Sequence, residues 1–227
     1  MKRLPVSVIA VTSLTLLWAA AASACGRDGY TYAGFFSPLP ATGIAATITP
    51  LSPFAVSSGH VGAWVGVGGP GRGPGGQDEW LQVGLSALPD VDGNQLYYEL
   101  AFPGSDPSYH ELGRSLPAGR SARVAVLELP NQPSFWRVWV NGSPASPPIH
   151  LPASHRRLWP TATAESWDGG TGGPCNAFLY RFNHTTIRRR NWEPLGGGYP
   201  VDDENIRVHL LGSGAFRAAE DLHATTR

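Results

Sequence analysis

Between Gly43 and Phe182 the chain runs in short segments whose apolar residues recur at every second position, separated by clusters of glycine and proline. A period of two belongs to strands with one buried and one open face, and no run of 3.6-residue period is long enough to compete. The pattern predicts strands at 43–48, 62–67, 79–86, 96–102, 121–129, 135–140, 162–167 and 178–182. Strands of this length and spacing make an all-β antiparallel sandwich of two sheets. Residues 68–78, GGPGRGPGGQD, have the glycines of a phosphate cradle but neither its lysine nor its following helix, so they read as a long turn.

The ends of the chain break this rhythm. Lys2 and Arg3, an apolar run to Ala22 and Ala-Ser-Ala before Cys25 predict a secretory signal peptide over 1–24, too short at its apolar centre for a membrane span. The sandwich domain is expected over 25–187. After it, a basic run, Pro-Leu-Gly-Gly-Gly-Tyr-Pro and a polar stretch predict a linker and weakly ordered tail over 188–227.

Composition narrows the partners. Seventeen basic and seventeen acidic residues cancel, and only 15% of residues are charged, which excludes nucleic acid as the expected partner. The two cysteines, Cys25 and Cys175, most simply form one disulfide in an exported chain. The rival reading is a lipoprotein site, with Cys25 acylated and Cys175 a lone thiol. Seven histidines show no close metal-ligand spacing, no Gly-x-Ser-x-Gly elbow occurs, and no cofactor is implied. A monomer is expected.

Chemistry concentrates on one set of strand faces. Alternation sets Trp80, Gln82 and Gly84 opposite Leu81, Val83 and Leu85, so Gln82 stands on the open side of its strand. The same arithmetic groups Trp64 with Gly66 and Gly68, Tyr97 with Glu99, and Thr163 with Glu165 and Trp167. Neighbouring in one sheet, these strands would form a groove with indole walls, glycines that admit a substrate backbone, an amide and two carboxyls. A carboxyl shielded by indoles holds its proton to higher pH and can act as general acid and base, and a neutral amide can donate to an oxyanion. Taken singly, Gln82, Glu99 and Glu165 read more readily as soluble surface residues and Trp64, Trp80 and Trp167 as sandwich core, and His60, just before the Trp64 strand, reads as a turn histidine or as a residue flanking the groove.

In order, Trp64-Val-Gly-Val-Gly, Trp80-Leu-Gln-Val-Gly, Tyr97-Tyr-Glu-Leu, Leu116-Pro-Ala-Gly and Ala164-Glu-Ser-Trp resemble the motif order of the glutamic peptidases, or eqolisins, across residues 60–182. The resemblance implies a concanavalin-like sandwich of two curved antiparallel sheets and a secreted acid endopeptidase acting on polypeptides. It further implies a dyad of Gln82 and Glu165, with Trp64 lining the site and Glu99 matching a glutamate of the Tyr-rich strand. Trp80, Tyr97 and Trp167 complete the expected substrate wall. Gly68 and Ser86 stand where the family has aspartates, and the tryptophan after the glutamate falls one position late, at Trp167. An inactive relative binding a peptide or glycan through the same groove, with Asn94 and Gln95 adding polar contacts, is the competing function. A glycosidase using Glu99 and Glu165 is a third.

Overall fold

A computed structural model describes residues 25, 29–51, 54–173, 175–195, 198–203 and 206–220. The signal peptide expected over 1–24 lies outside the described residues. Those residues form sixteen strands and no helix. In chain order the strands are β1 (Tyr30–Phe36), β2 (Gly43–Pro50), β3 (His60–Gly69), β4 (Glu79–Ala87), β5 (Asn94–Ala101), β6 (Ser108–Leu116), β7 (Ala122–Glu128) and β8 (Phe135–Val140). They continue as β9 (Ser143–Pro144), β10 (Ile149–His150), β11 (Pro160–Trp167), β12 (Leu179–Arg188), β13 (Trp192–Pro194), β14 (Tyr199–Asp202), β15 (Ile206–Gly212) and β16 (Ala215–Glu220).

All eight strands predicted from alternation are present, within a few residues of their predicted bounds and, for β12, extended to Arg188. They pair antiparallel in two sheets. One has the order β14-β1-β11-β3-β4-β5-β6; the other runs β10-β8-β7-β2-β12-β16-β15, with β13 beside β12 and β9 beside β8. The apolar phase of each strand turns inward. Val61, Ala63, Val65 and Val67 of β3 and Leu81, Val83 and Leu85 of β4 meet Ile44, Ala46 and Ile48 of β2 and Val124 and Val126 of β7 in one buried core. Burial of each such Val, Leu or Ile favours the folded state by about 1.5–3 kcal/mol, so the inward phase sets the register of the whole sheet.

One expectation is corrected. The segment after Arg188 is not a linker and weak tail: β14 pairs with β1 in the first sheet, and β15 and β16 extend the second beside β12. Ile206, Phe216 and Ala218 supply the missing hydrophobic drive, since all three are buried, and Phe216 stacks on Phe182 with ring centroids 4.4 Å apart. The described sandwich therefore reaches Glu220, not residue 187. The expected disulfide is present: Cys25 is bonded to Cys175, which leaves no free sulfur for the rival lipid anchor. Among the described residues no helix is long and apolar enough to cross a membrane.

Candidate active site

The outward face of the seven-stranded sheet is organised by register. Tyr32, Glu165, Gly62, Ser86 and Gln95 face one another in a row across β1, β11, β3, β4 and β5. The next row is Gly34, Thr163, Trp64, Gly84 and Tyr97, and the one after is Phe36, Thr161, Gly66, Gln82 and Glu99. Tyr30, Trp167 and His60 flank the first row, and Trp80 lies beyond the third. Trp64, Trp80, Gln82, Tyr97, Glu99, Glu165 and Trp167 thus all emerge on one face, as alternation predicts.

Bulky side chains and glycines interlock on that face. A Cβ on Gly62 would stand 3.0 Å from Glu165 Oε1 and 3.2 Å from its Cγ, and one on Gly66 would stand 2.9 Å from Gln82 Cβ. A Cβ on Gly84 would press on Trp64. Each glycine therefore receives a neighbour's side chain, which lies down along the sheet instead of standing off it. This differs from the expected role of the glycines, which was to leave room for a substrate backbone. It also explains why Gln82 and Glu165 are only 8% and 7% exposed although neither joins the core.

The polar contacts place the two dyad candidates in adjoining clusters. Gln82 Nε2 donates to the Tyr97 hydroxyl at 3.3 Å. Glu165 Oε1 lies 3.3 Å from His60 Nε2. Among the described residues no hydrogen bond joins Gln82 to Glu165: β3 lies between their strands, and they are two rows apart. Glu99 accepts the Trp80 indole N–H at 3.1 Å, and Trp64 Nε1 is a buried donor with no partner.

Burial and neighbouring charge fix the protonation of this surface. Tyr97 is pushed well above the usual tyrosine range, by burial first and then by the charges of Glu165, Glu99 and Tyr109, while the Gln82 hydrogen bond opposes the rise. Tyr30 is raised to about 12 by burial and then by Glu165 and Glu99. Tyr32 is raised as well, again by burial ahead of Glu165, Tyr30, Asp203 and Glu99. These hydroxyls stay protonated donors around Glu165. Burial also raises Glu99, against the Trp80 hydrogen bond.

The two positions that lack the family's aspartates have physical explanations. Gly68 has φ of +84°, and a Cβ there would strike the Glu79 carbonyl, so this backbone tolerates no side chain at 68. Ser86 faces Gly62 beside Glu165, and its hydroxyl hydrogen-bonds the Tyr109 phenol. The late tryptophan is also resolved. Ser166 turns inward, its hydroxyl accepting the Asn176 N–H at 3.0 Å and lying 3.9 Å from Cys25 Sγ, and so Trp167 shares the open face with Glu165.

Sequence reasoning missed Tyr30 and Tyr32, and of the two readings open for His60 the groove-flanking one agrees with its place. His60 is no isolated turn residue: it begins β3, in phase with Gly62 and Trp64. Tyr30 and Tyr32 stack on one another at 6.0 Å, and Tyr30 stacks on Trp167 at 5.6 Å. Asn94 is a correction in the other direction. It is fully buried and accepts the Tyr180 hydroxyl at 2.6 Å, so it ties the sheets together and offers nothing to a ligand.

No protein-family model and no curated protein sequence matches the chain. Solved structures do. Scytalidoglutamic peptidase with a peptide-based transition-state analogue superposes with a TM-score of 0.62 at 13% identity, covering 86% of this chain and 99% of that one. SCP-B, a member of the eqolisin family in complex with the tripeptide Ala-Ile-His, gives 0.57 at 14% identity, with 84% and 98% covered. The fold of this chain is the β-sandwich of the glutamic peptidases.

Proposed function

We propose that the protein is a secreted glutamic-type acid endopeptidase in which Glu165 and Gln82 act on a polypeptide held across the outward face of the seven-stranded sheet. One observation carries the reading: on a sandwich with the fold of the glutamic peptidases, Glu165 and Gln82 emerge on the same indole-walled face, on the two strands that flank β3. The Cys25–Cys175 disulfide supports export to an oxidising compartment.

In this mechanism Glu165 takes a proton from a water whose oxygen attacks the scissile carbonyl carbon. One of the two Gln82 N–H bonds is held by Tyr97; the other donates to the oxygen that gains charge as the tetrahedral intermediate forms. Glu165 then gives its proton to the nitrogen as the C–N bond breaks.

The test is digestion of a denatured protein from pH 2 to 8 by the wild type, Glu165→Gln and Gln82→Ala. Cleavage by the wild type that falls about a thousandfold in Glu165→Gln, and about a hundredfold or more in Gln82→Ala, is the expected result. Cleavage that survives both substitutions rejects these residues. Absence of cleavage at every pH, with peptide or glycan still bound in a direct binding assay, selects the non-catalytic module, which the glycine at 68 and serine at 86 favour.

A further inference from the structure

We infer that His60 is the positioning residue of Glu165, a role the missing aspartates leave open; the inference rests on the peptidase reading and names the group that orients its base. Glu165 reaches 3.3 Å from His60 Nε2 through Oε1, and among the described residues it has no other hydrogen-bond partner. Oε2 is left to face the groove. The imidazole is packed on two sides, and the backbone that carries it is tied down. Its ring packs against Tyr30 at 6.1 Å and Trp167 at 5.5 Å, and its backbone carbonyl accepts Asn176 Nδ2 at 3.4 Å. Asn176 also donates to the carbonyls of Ser58 and Trp167, each at 2.8 Å, and follows Cys175 of the disulfide.

The backbone directs the carboxyl toward this partner. Glu165 lies over Gly62, where any Cβ would press on its Cγ and Oε1, so the glycine lets the side chain lie along β3 toward His60. Tyr30, Tyr32, Tyr97 and Glu99 are the other titratable groups that interact with Glu165 from β1 and β5, and none of them is hydrogen-bonded to it. A glutamate has three side-chain torsions to restrain, and small displacements of a reacting group are costly to rate. The single imidazole contact supplies the restraint, with the proton on Nε2 donated to Oε1 and the second oxygen left to take the proton from water.

Two variants of the full chain separate the N–H donor from the ring. His60→Phe keeps an aromatic ring between Tyr30 and Trp167 but has no donor, and His60→Gln keeps an N–H donor without the ring. His60→Phe is expected to lower kcat about tenfold to a hundredfold with KM within about twofold, and His60→Gln to recover most of that loss. Equal kcat in His60→Phe and wild type, or equal losses in both variants, would overturn the inference. A second readout is independent of cleavage. In the imidazole 1H–15N spectrum the His60 Nε2 resonance should move in Glu165→Gln, and an unmoved resonance overturns the pairing. A wild type that cleaves nothing while this resonance responds to Glu165→Gln leaves the pairing supported and removes the peptidase.

Discussion

Two glutamates in this molecule each meet a histidine, and they do different things. Glu128, at the end of β7, accepts His155 Nδ1 at 2.8 Å and the backbone N–H of Ser134 at 2.8 Å on the same oxygen. Ser134 has φ of +67°, and its hydroxyl accepts the His155 N–H, so this carboxylate holds a strained turn and stitches it to the next loop. Glu165 has the imidazole alone. Among the described residues no backbone amide bonds to it, and protonated tyrosines surround it. A carboxylate bonded to the main chain maintains a fold, whereas one bonded only to a side chain on an open face retains capacity for chemistry.

The contrast can be broken most forcefully at the disulfide. Removing it with Cys25→Ser and Cys175→Ser is expected to cost up to about 5 kcal/mol, because the bond closes a loop of 150 residues. The damage should be local before it is global. Cys175 adjoins Asn176, which holds Ser58, His60 and Trp167 in place, so amides 164–168 should lose hydrogen-exchange protection while those of Glu128 and Ser134 keep theirs. Uniform loss at both places would deny that the bond supports the Glu165 side in particular.

A smaller effect is expected at Glu128. Glu128→Gln weakens the acceptor for Ser134 N–H and His155 and should cost about 1–3 kcal/mol of stability, read as a lower urea midpoint, with cleavage retained. Glu165→Gln should do the reverse, losing cleavage with the midpoint unchanged. If Glu128→Gln lost activity at full stability, the division between scaffold and site would not hold.

Glu79 sharpens the comparison by having no hydrogen-bond partner among the described residues. It is fully buried, neither oxygen is hydrogen-bonded, and burial raises its pKa to about 7. The unfolded chain releases this proton near pH 4.3, so between there and about 7 the folded state binds more protons, and stability falls as pH rises through that window. Glu99, also raised by burial, contributes with the same sign. The urea midpoint should therefore be higher at pH 4.5 than at 7.5, and Glu79→Gln should flatten the difference. A wild type equally stable at both pH values would contradict this.

Much of the architecture is legible in the chain because Val and Leu at alternate positions of β3, β4 and β7 have one way to be buried. β1 escaped because YTYAGFF puts aromatic residues on both faces and so shows no polar phase, and β14, β15 and β16 because their neighbouring glycines and prolines suggest a linker. At the candidate site, the common face of Gln82, Trp64 and Glu165 is legible from alternation. His60 shares the phase of Trp64, so extending the alternation four residues back would have put it on that face. Its contact with Glu165, 105 residues away, depends on β11 lying beside β3, a pairing that no local pattern encodes.

The position of β1 has a consequence for biosynthesis. The ribosome makes it before any other strand, yet it is flanked by β11 and β14, two of the later ones. Tyr30 and Tyr32 can take their places beside Glu165 only after β11 and β14 have emerged, so this face of the sheet is finished well after its first strand is made.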